Sequence, residues 1–328
     1  MTHPLATRRS VLATGMALGI AASAWPWRPA QALRLADSGP APEFAGISAW
    51  FGSPPLTMAG LRDRVVLIDF WTHTCNIWQR TIPYLRRWHD AYRDKGLVIV
   101  GVHTPEFSFE HDRAGVEDAI ARFGLAHPVA QDNDYGTWRA WRNQYWPAHM
   151  LVNRGGRVVL QHAGEGDYAG LENAIRQLTG TAGPAVSEPD PDLSGIGSPE
   201  MYFGLARQEY LAAAARPRAG NGVFSIPARL PLNRFALGGN WNIAGEHAAL
   251  SDGPGEIAVR FRAAKVHLIA ATDTPTTLGV SVDGRDQPPA TIHSGRLYTL
   301  FDGGASAERV MRLSIPNPGL KAYTLTFG

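Results

Sequence analysis

One cysteine stands in the whole chain, and its surroundings suit chemistry. Cys75 lies in the string Asp69-Phe70-Trp71-Thr72-His73-Thr74-Cys75-Asn76-Ile77-Trp78. The β-branched run Val65-Val66-Leu67-Ile68 leads into it, as a buried parallel strand would. Ile77, Thr81, Leu85 and Trp88 follow at helical spacing. The cysteine therefore opens a helix after a strand and a short loop. Unpaired N–H groups at a helix start favour thiolate over thiol, so the position predicts a lowered pKa and a nucleophilic sulfur. With a single Cys among 328 residues no internal disulfide can form. Such a thiol is buried and inert, paired with another chain, or reactive.

Other polar residues converge on this string. Leu97 to Val102 reads as a second buried strand beside the first, so their C-terminal ends meet at one edge. That brings His103 and Glu106 toward Cys75. An imidazolium on His73 or His103 would lower the thiol pKa further. The spacing of Cys75, His73 and His103 matches no standard ligand set, so neither a metal nor another cofactor is expected. Asp69, at the end of a buried strand beside aromatic groups, should have a raised pKa. Trp71, Trp78, Trp138, Trp141, Tyr145 and Trp146 form a dense aromatic set. They read either as packing or as an apolar groove around Cys75 for an extended polypeptide, with Trp78 shielding the thiol. A single thiol also allows peroxide chemistry through a sulfenic acid, although Ile68 stands where the proline of a peroxiredoxin-type Thr-x-x-Cys motif would be expected.

The elements that must position these residues run as follows. Residues 33–60 are loop-like. Residues 61–180 alternate strand and helix signals: helices over 76–93, 113–123, 134–143 and 168–178, and strands near 128–130, 149–152 and 158–160. Asn153-Arg154-Gly155-Gly156 reads as a hairpin turn. Residues 181–219 form a linker rich in Pro and Gly, with a short helix over 201–215. From 220 to 328 short alternating strands such as Leu278, Val280, Val282 and turns such as Asp283-Gly284 predict a β-sandwich. Trp241, Tyr298 and Tyr323 read as sugar-stacking residues or as core.

Hydrophobic residues make up 45% and charged residues 18%, so a packed core rather than disorder is expected. Net charge is +2 with no basic cluster in residues 33–328, which leaves no footprint for nucleic acid. Residues 1–32 read as a cleavable export signal of the twin-arginine type: Arg8-Arg9, a short apolar run, then Ala30-Gln31-Ala32. The expectation is a soluble, periplasmic mature protein.

The strand, the Trp and the cysteine at a helix start resemble thioredoxin. More narrowly, Phe70-Trp71-Thr72-His73-Thr74-Cys75, Gly101-Val102-His103-Thr104-Pro105-Glu106-Phe107, Tyr145-Trp146-Pro147-Ala148 and Ala322-Tyr323-Thr324-Leu325-Thr326-Phe327-Gly328 resemble the soluble region of DipZ-type proteins. The resemblance covers nearly all of 45–328, without the membrane domain that such chains usually carry. It implies an α/β thioredoxin-like fold with a C-terminal all-β, carbohydrate-binding-like sandwich. It implies thiol–disulfide exchange at Cys75, with Pro147 in cis beside it, and Asp69, Trp71 and His73 in the machinery. Trp78, Trp146, His103 and Glu106 would border the substrate. Implied partners are exported protein thiols or disulfides, small thiols, and a membrane thiol electron donor. The family's second cysteine falls at Trp78, so a resolving thiol must come from outside. A non-catalytic binding module and a single-cysteine peroxide reductase stand as alternatives.

Overall fold

The computed structural model describes residues 35–213 and 217–328, and the expected export signal lies outside the described residues. Its first part is a six-stranded mixed sheet. In chain order the elements are β1 (Ala49–Phe51), β2 (Val65–Trp71), α1 (Asn76–Tyr92), β3 (Leu97–His103), α2 (Arg113–Phe123), β4 (Val129–Gln131), α3 (Gly136–Ala140), β5 (Ala148–Val152), β6 (Val158–Ala163) and α4 (Tyr168–Thr179). The strand order is β1-β4-β3-β2-β5-β6. β2, β3 and β4 run parallel, while β5 and β6 are antiparallel additions. This is the expected thioredoxin-like arrangement.

β2 is buried along all seven residues because both sheet faces are covered. Val65 and Leu67 pack with Leu85, Trp88 and Tyr92 of α1 and Leu171 and Ile175 of α4. Val66, Ile68 and Phe70 point to the other face, against Trp138 and Trp141. α2 begins at Asp112, whose carboxylate accepts the Ala114 N–H, and ends at Gly124 with φ 61°. α3 is shorter than the sequence suggests. Tyr135 before it and Arg142 after it are both left-handed, at φ 56° and 51°, and confine it to one turn.

The second part is all antiparallel: β7 (Met201–Tyr202), β8 (Gly220–Phe224), β9 (Arg234–Ile243), β10 (Ala248–Ala271), β11 (Thr276–Val282), β12 (Arg285–Ile292), β13 (Arg296–Ile315) and β14 (Lys321–Phe327). Its order is β12-β11-β13-β10-β14-β7, with β9 on β10 and β8 on β9. β10 and β13 are long and shift register near Ala263 and Val266. Bulges of this kind bend a strand, and Leu237, Val259, Phe261, Val280, Leu313 and Leu325 meet in one core.

The helix expected over 201–215 does not form in its described part. Met201 and Tyr202 instead pair with Leu325 and Thr324 of β14. Met201 and Phe203 are fully buried at period two, and the next N–H groups bond to Ala244 and Gly245 carbonyls. Burial and these partners outweigh local helical spacing, so the C-terminal sheet begins inside the expected linker.

The linker is strapped to the first part rather than free. Glu172 accepts the Val186 and Ser187 N–H groups, and Asp190 accepts those of Asp167 and Tyr168. The two parts share a small apolar seam in which Phe107 and Phe109 pack on Ile269 and Tyr323. Gly204 lies so close to the Gly245 and Glu246 backbone that a Cβ has no room. Gly204→Ala should therefore cost about 1–3 kcal/mol, as overpacking does. A urea midpoint equal to that of the unsubstituted protein would contradict this close approach.

Candidate thiol site

Cys75 is the N-cap of α1. Its sulfur accepts the Trp78 N–H at 3.4 Å and lies 3.8 Å from the Trp146 carbonyl oxygen, to which its S–H points. The Trp146–Pro147 peptide is cis, as the resemblance implies. The Pro147 carbonyl accepts the Gly164 N–H, which ties this loop to the end of β6. The Trp146 indole donates to the Thr104 carbonyl at 3.0 Å and is half-buried, while Tyr145 is exposed.

The expected lowering of the thiol pKa is overturned. Cys75 is 7% exposed, and its pKa is raised well above the usual thiol value. Burial is the main cause, and the Glu106 and Glu200 carboxylates add to it. The N–H groups of Ile77 and Trp78 do pull the other way, as a helix start should. Desolvation exceeds them because the sulfur shares an apolar cluster with Trp71, Trp78 and Ile82.

Trp78 is fully buried, so in this form it borders no substrate. Its ring stacks on Trp71 at 4.3 Å, and its Nε1 donates to Asp69 Oδ2 at 3.0 Å. Asp69 has no exposed surface, and burial lifts its pKa to about 7 against the opposing Trp78 hydrogen bond. Its other oxygen lies 3.3 Å from His149 Nε2, its partner across the β2–β5 pairing. His149 is pushed down to about 3, first by burial and then by His162, and is neutral. Sequence reasoning passes over His149. A polar residue inside the apolar run Ala148–Val152 is the signal that marks it.

His73 and His103 do meet, but as a neutral pair. Their rings stack at 5.3 Å, with Nδ1 of His73 3.1 Å from Nε2 of His103. Burial holds both below the usual imidazole value, so neither supplies the expected cation. His103 is wholly buried and touches no solvent.

Glu110 is the second residue that sequence reasoning misses. It is fully buried, and its carboxylate accepts the Thr74 hydroxyl at 2.5 Å and the N–H groups of Glu106 and Phe107 at 2.6 and 2.9 Å. One side chain thus joins the loop before Cys75 to the loop after β3. An acid four residues after Glu106 carries no local signal that it is buried.

The C-terminal part reaches the site directly. Asn76, the residue after the cysteine, donates from Nδ2 to the Phe327 carbonyl at 3.1 Å. Glu106 bonds to Tyr202 and pairs with Arg207 at 2.6 Å. The aromatics considered for sugar stacking are mostly committed elsewhere. Trp241 and Tyr323 are buried, and the Tyr298 hydroxyl closes the turn at His293 and Ser294.

Fold and site together define a thioredoxin-fold chain with an appended all-β domain. Residues 198–328 match the family described as Thioredoxin like C-terminal domain. The chain is homologous to Protein DipZ of Mycobacterium tuberculosis (strain CDC 1551 / Oshkosh), with 35% identity over 312 residues that cover 90% of this chain and 44% of that protein. It thus spans less than half the length of this relative. Over its thioredoxin-fold part it is also homologous to thiol–disulfide oxidoreductases, among them YkuV of Bacillus subtilis, with 25% identity across 42% of this chain and 93% of that protein. The solution structure of a thioredoxin-like protein in the oxidized form is 26% identical, covers 46% of this chain and 98% of that one, and superposes with a TM-score of 0.40.

Two outcomes follow from this geometry. An acid whose folded pKa is raised stabilises the fold fully below its ordinary value of 3.8, progressively less up to about pH 7, and no differently above that. Asp69→Asn keeps the acceptor for Trp78 but cannot ionise, so it should gain about 3–4 kcal/mol over the native chain between pH 4 and pH 8. Denaturant melts at both pH values measure this, and equal differences would refute the buried-acid account. Glu110→Ala strands three donors and should cost at least about 3 kcal/mol, read from the same melts together with faster alkylation of Cys75.

Proposed function

We propose that the protein is an exported thiol–disulfide redox protein that reacts through Cys75 alone. The observation that carries this reading is the placement of the lone sulfur at the N-cap of α1, 3.8 Å from the carbonyl that precedes the cis proline. An extended disulfide-bearing chain beside the Trp146–Pro147 loop would meet the sulfur there. The Cys75 thiolate attacks one sulfur of a substrate disulfide. A mixed disulfide forms, and the other substrate sulfur leaves as a thiolate that takes up a proton. Trp78 occupies the position of a resolving cysteine, so a second, external thiol must attack the mixed disulfide to free Cys75. Exported protein thiols, small thiols or a membrane thiol electron donor would fill that role. Pro147 and Trp146 frame the approach, while Trp71, Asp69 and His73 are buried behind it. The twin-arginine-type leader at residues 1–32 supports a periplasmic site of action, which cell fractionation tests.

The raised thiol pKa sets the expected rate. Cys75 should react with a small aromatic disulfide at pH 8 at least about tenfold more slowly than free cysteine, and the adduct should persist until an external thiol is added. Mass spectrometry of the intact chain follows both steps. Trp78→Cys should shorten the life of the adduct, because the introduced thiol can close an internal disulfide with Cys75, although emptying a buried indole site costs about 3–5 kcal/mol. A Cys75 that forms no adduct with small or protein disulfides would falsify the redox reading.

The burial of Cys75 favours a second reading, a thioredoxin-fold binding module in which the thiol is inert. Cys75→Ser separates the two. Unchanged partner capture in the serine variant supports the module, and loss of covalently trapped partners supports the redox protein.

A further inference from the structure

Where the C-terminal part meets the loop beside Cys75, three side chains share fewer protons than their contacts need. The Tyr202 hydroxyl lies 3.1 Å from Glu106 Oε1 and 2.9 Å from Glu200 Oε2. A phenol has one hydrogen to donate, and an ionised carboxylate has none. Both contacts are hydrogen bonds only when one of the two carboxyls carries a proton and donates it to the phenol oxygen. Glu106 comes from the loop after β3, while Glu200 and Tyr202 come from the C-terminal part, so the shared proton sits across the junction.

The local charges hold that proton in place. Arg207 pairs with Glu106 at 2.6 Å, and its guanidinium lies 3.8 Å over the Tyr202 ring. It offsets one negative charge and leaves the second uncompensated. Glu110 approaches from within the same loop, binding the Glu106 N–H. Glu246, from the turn before β10, accepts the Ser108 N–H next to it. Tyr135, at the start of α3, bonds to the Pro105 carbonyl. Cys75 stands on the α1 side, within reach of the Glu106 and Glu200 charges. Among these neighbours Arg207 is the cation, against four carboxyl groups.

We propose that Glu106, Tyr202 and Glu200 form a proton-holding clasp that fastens the C-terminal domain beside Cys75 and loosens when the proton leaves. This names a regulation of the proposed redox site and rests on Cys75 being its reactive thiol. With the clasp closed, two carboxyl groups and the C-terminal domain enclose the sulfur. With it open, the sulfur gains solvent, which removes the main cause that opposes its ionisation. Burial, then Glu200, lifts the Glu106 carboxyl from its ordinary 4.5 to about 7 in the closed form. A raised acid binds its proton more tightly when closed. Fastening is therefore full below about pH 4.5, weakens up to about pH 7, and changes little above.

Hydrogen exchange tests the clasp without using thiol chemistry. Protection factors of residues 104–111 and 200–207 are measured from pH 4 to 8 on the full chain. They should fall by up to about tenfold per pH unit between 4.5 and 7, then level. Glu200→Gln keeps an acceptor for Tyr202 but removes the like charge, so it should move the fall to lower pH and shrink it. Arg207→Gln removes the compensating cation and should move the fall to higher pH. A purely structural contact gives no such opposite shifts. Flat protection in the native chain, or one profile shared by all three proteins, overturns the clasp. Cys75 alkylation on the same samples should rise through the same pH range and shift with the variants. If alkylation follows the clasp but no disulfide exchange occurs, the redox reading fails and the clasp stands.

Discussion

The indole of Trp78 stacks on Trp71 and donates its Nε1 hydrogen to Asp69, and the chemistry above it follows from that one contact. The ring fills the space beneath the helix start with apolar surface. It gives a carboxyl group that has lost its water one hydrogen bond in return. That bond is too little to keep Asp69 at its ordinary acidity, because burial of a charge outweighs a single neutral donor. Cys75 shares the same apolar cluster and is lifted in the same direction. An indole at this position thus sets the protonation of the groups packed around it.

The helix start and the enclosure of the site work against each other at the sulfur. N–H groups of α1 favour the thiolate, but the loss of water around the sulfur outweighs them. Trp71, Trp78 and Ile82 supply most of the enclosure, and the C-terminal domain packs on the residues beside it. Asn76 is held by the carbonyl of Phe327, next to the last residue of the chain, and Glu106 is held by Tyr202 and Arg207. On the other side, Glu110 fixes the Thr74 loop to the loop of Glu106. A contact between the domains is therefore also a contact with the site. An isolated thioredoxin fold would present its cysteine with neither constraint.

The sequence by itself determined the first sheet, the placement of Cys75 at a helix start and the absence of an internal partner for it. Those features depend on local pattern: a β-branched run buried on both faces, apolar residues at helical spacing, a cysteine count of one. Long-range placement decided the rest. Met201 and Tyr202 became a strand because β14 offered them partners and a core, which no local window contains. His73 and His103 became a neutral pair because burial removed the charge that their types suggested. His149 came beside Asp69 only through the register of β5 on β2, and Glu110 became a buried clamp only when its loop folded over the site. The thiol's ionisation went the same way. A helix start can be read from neighbouring residues, but the surroundings of a sulfur depend on groups far along the chain, such as the Trp146 carbonyl 3.8 Å from it.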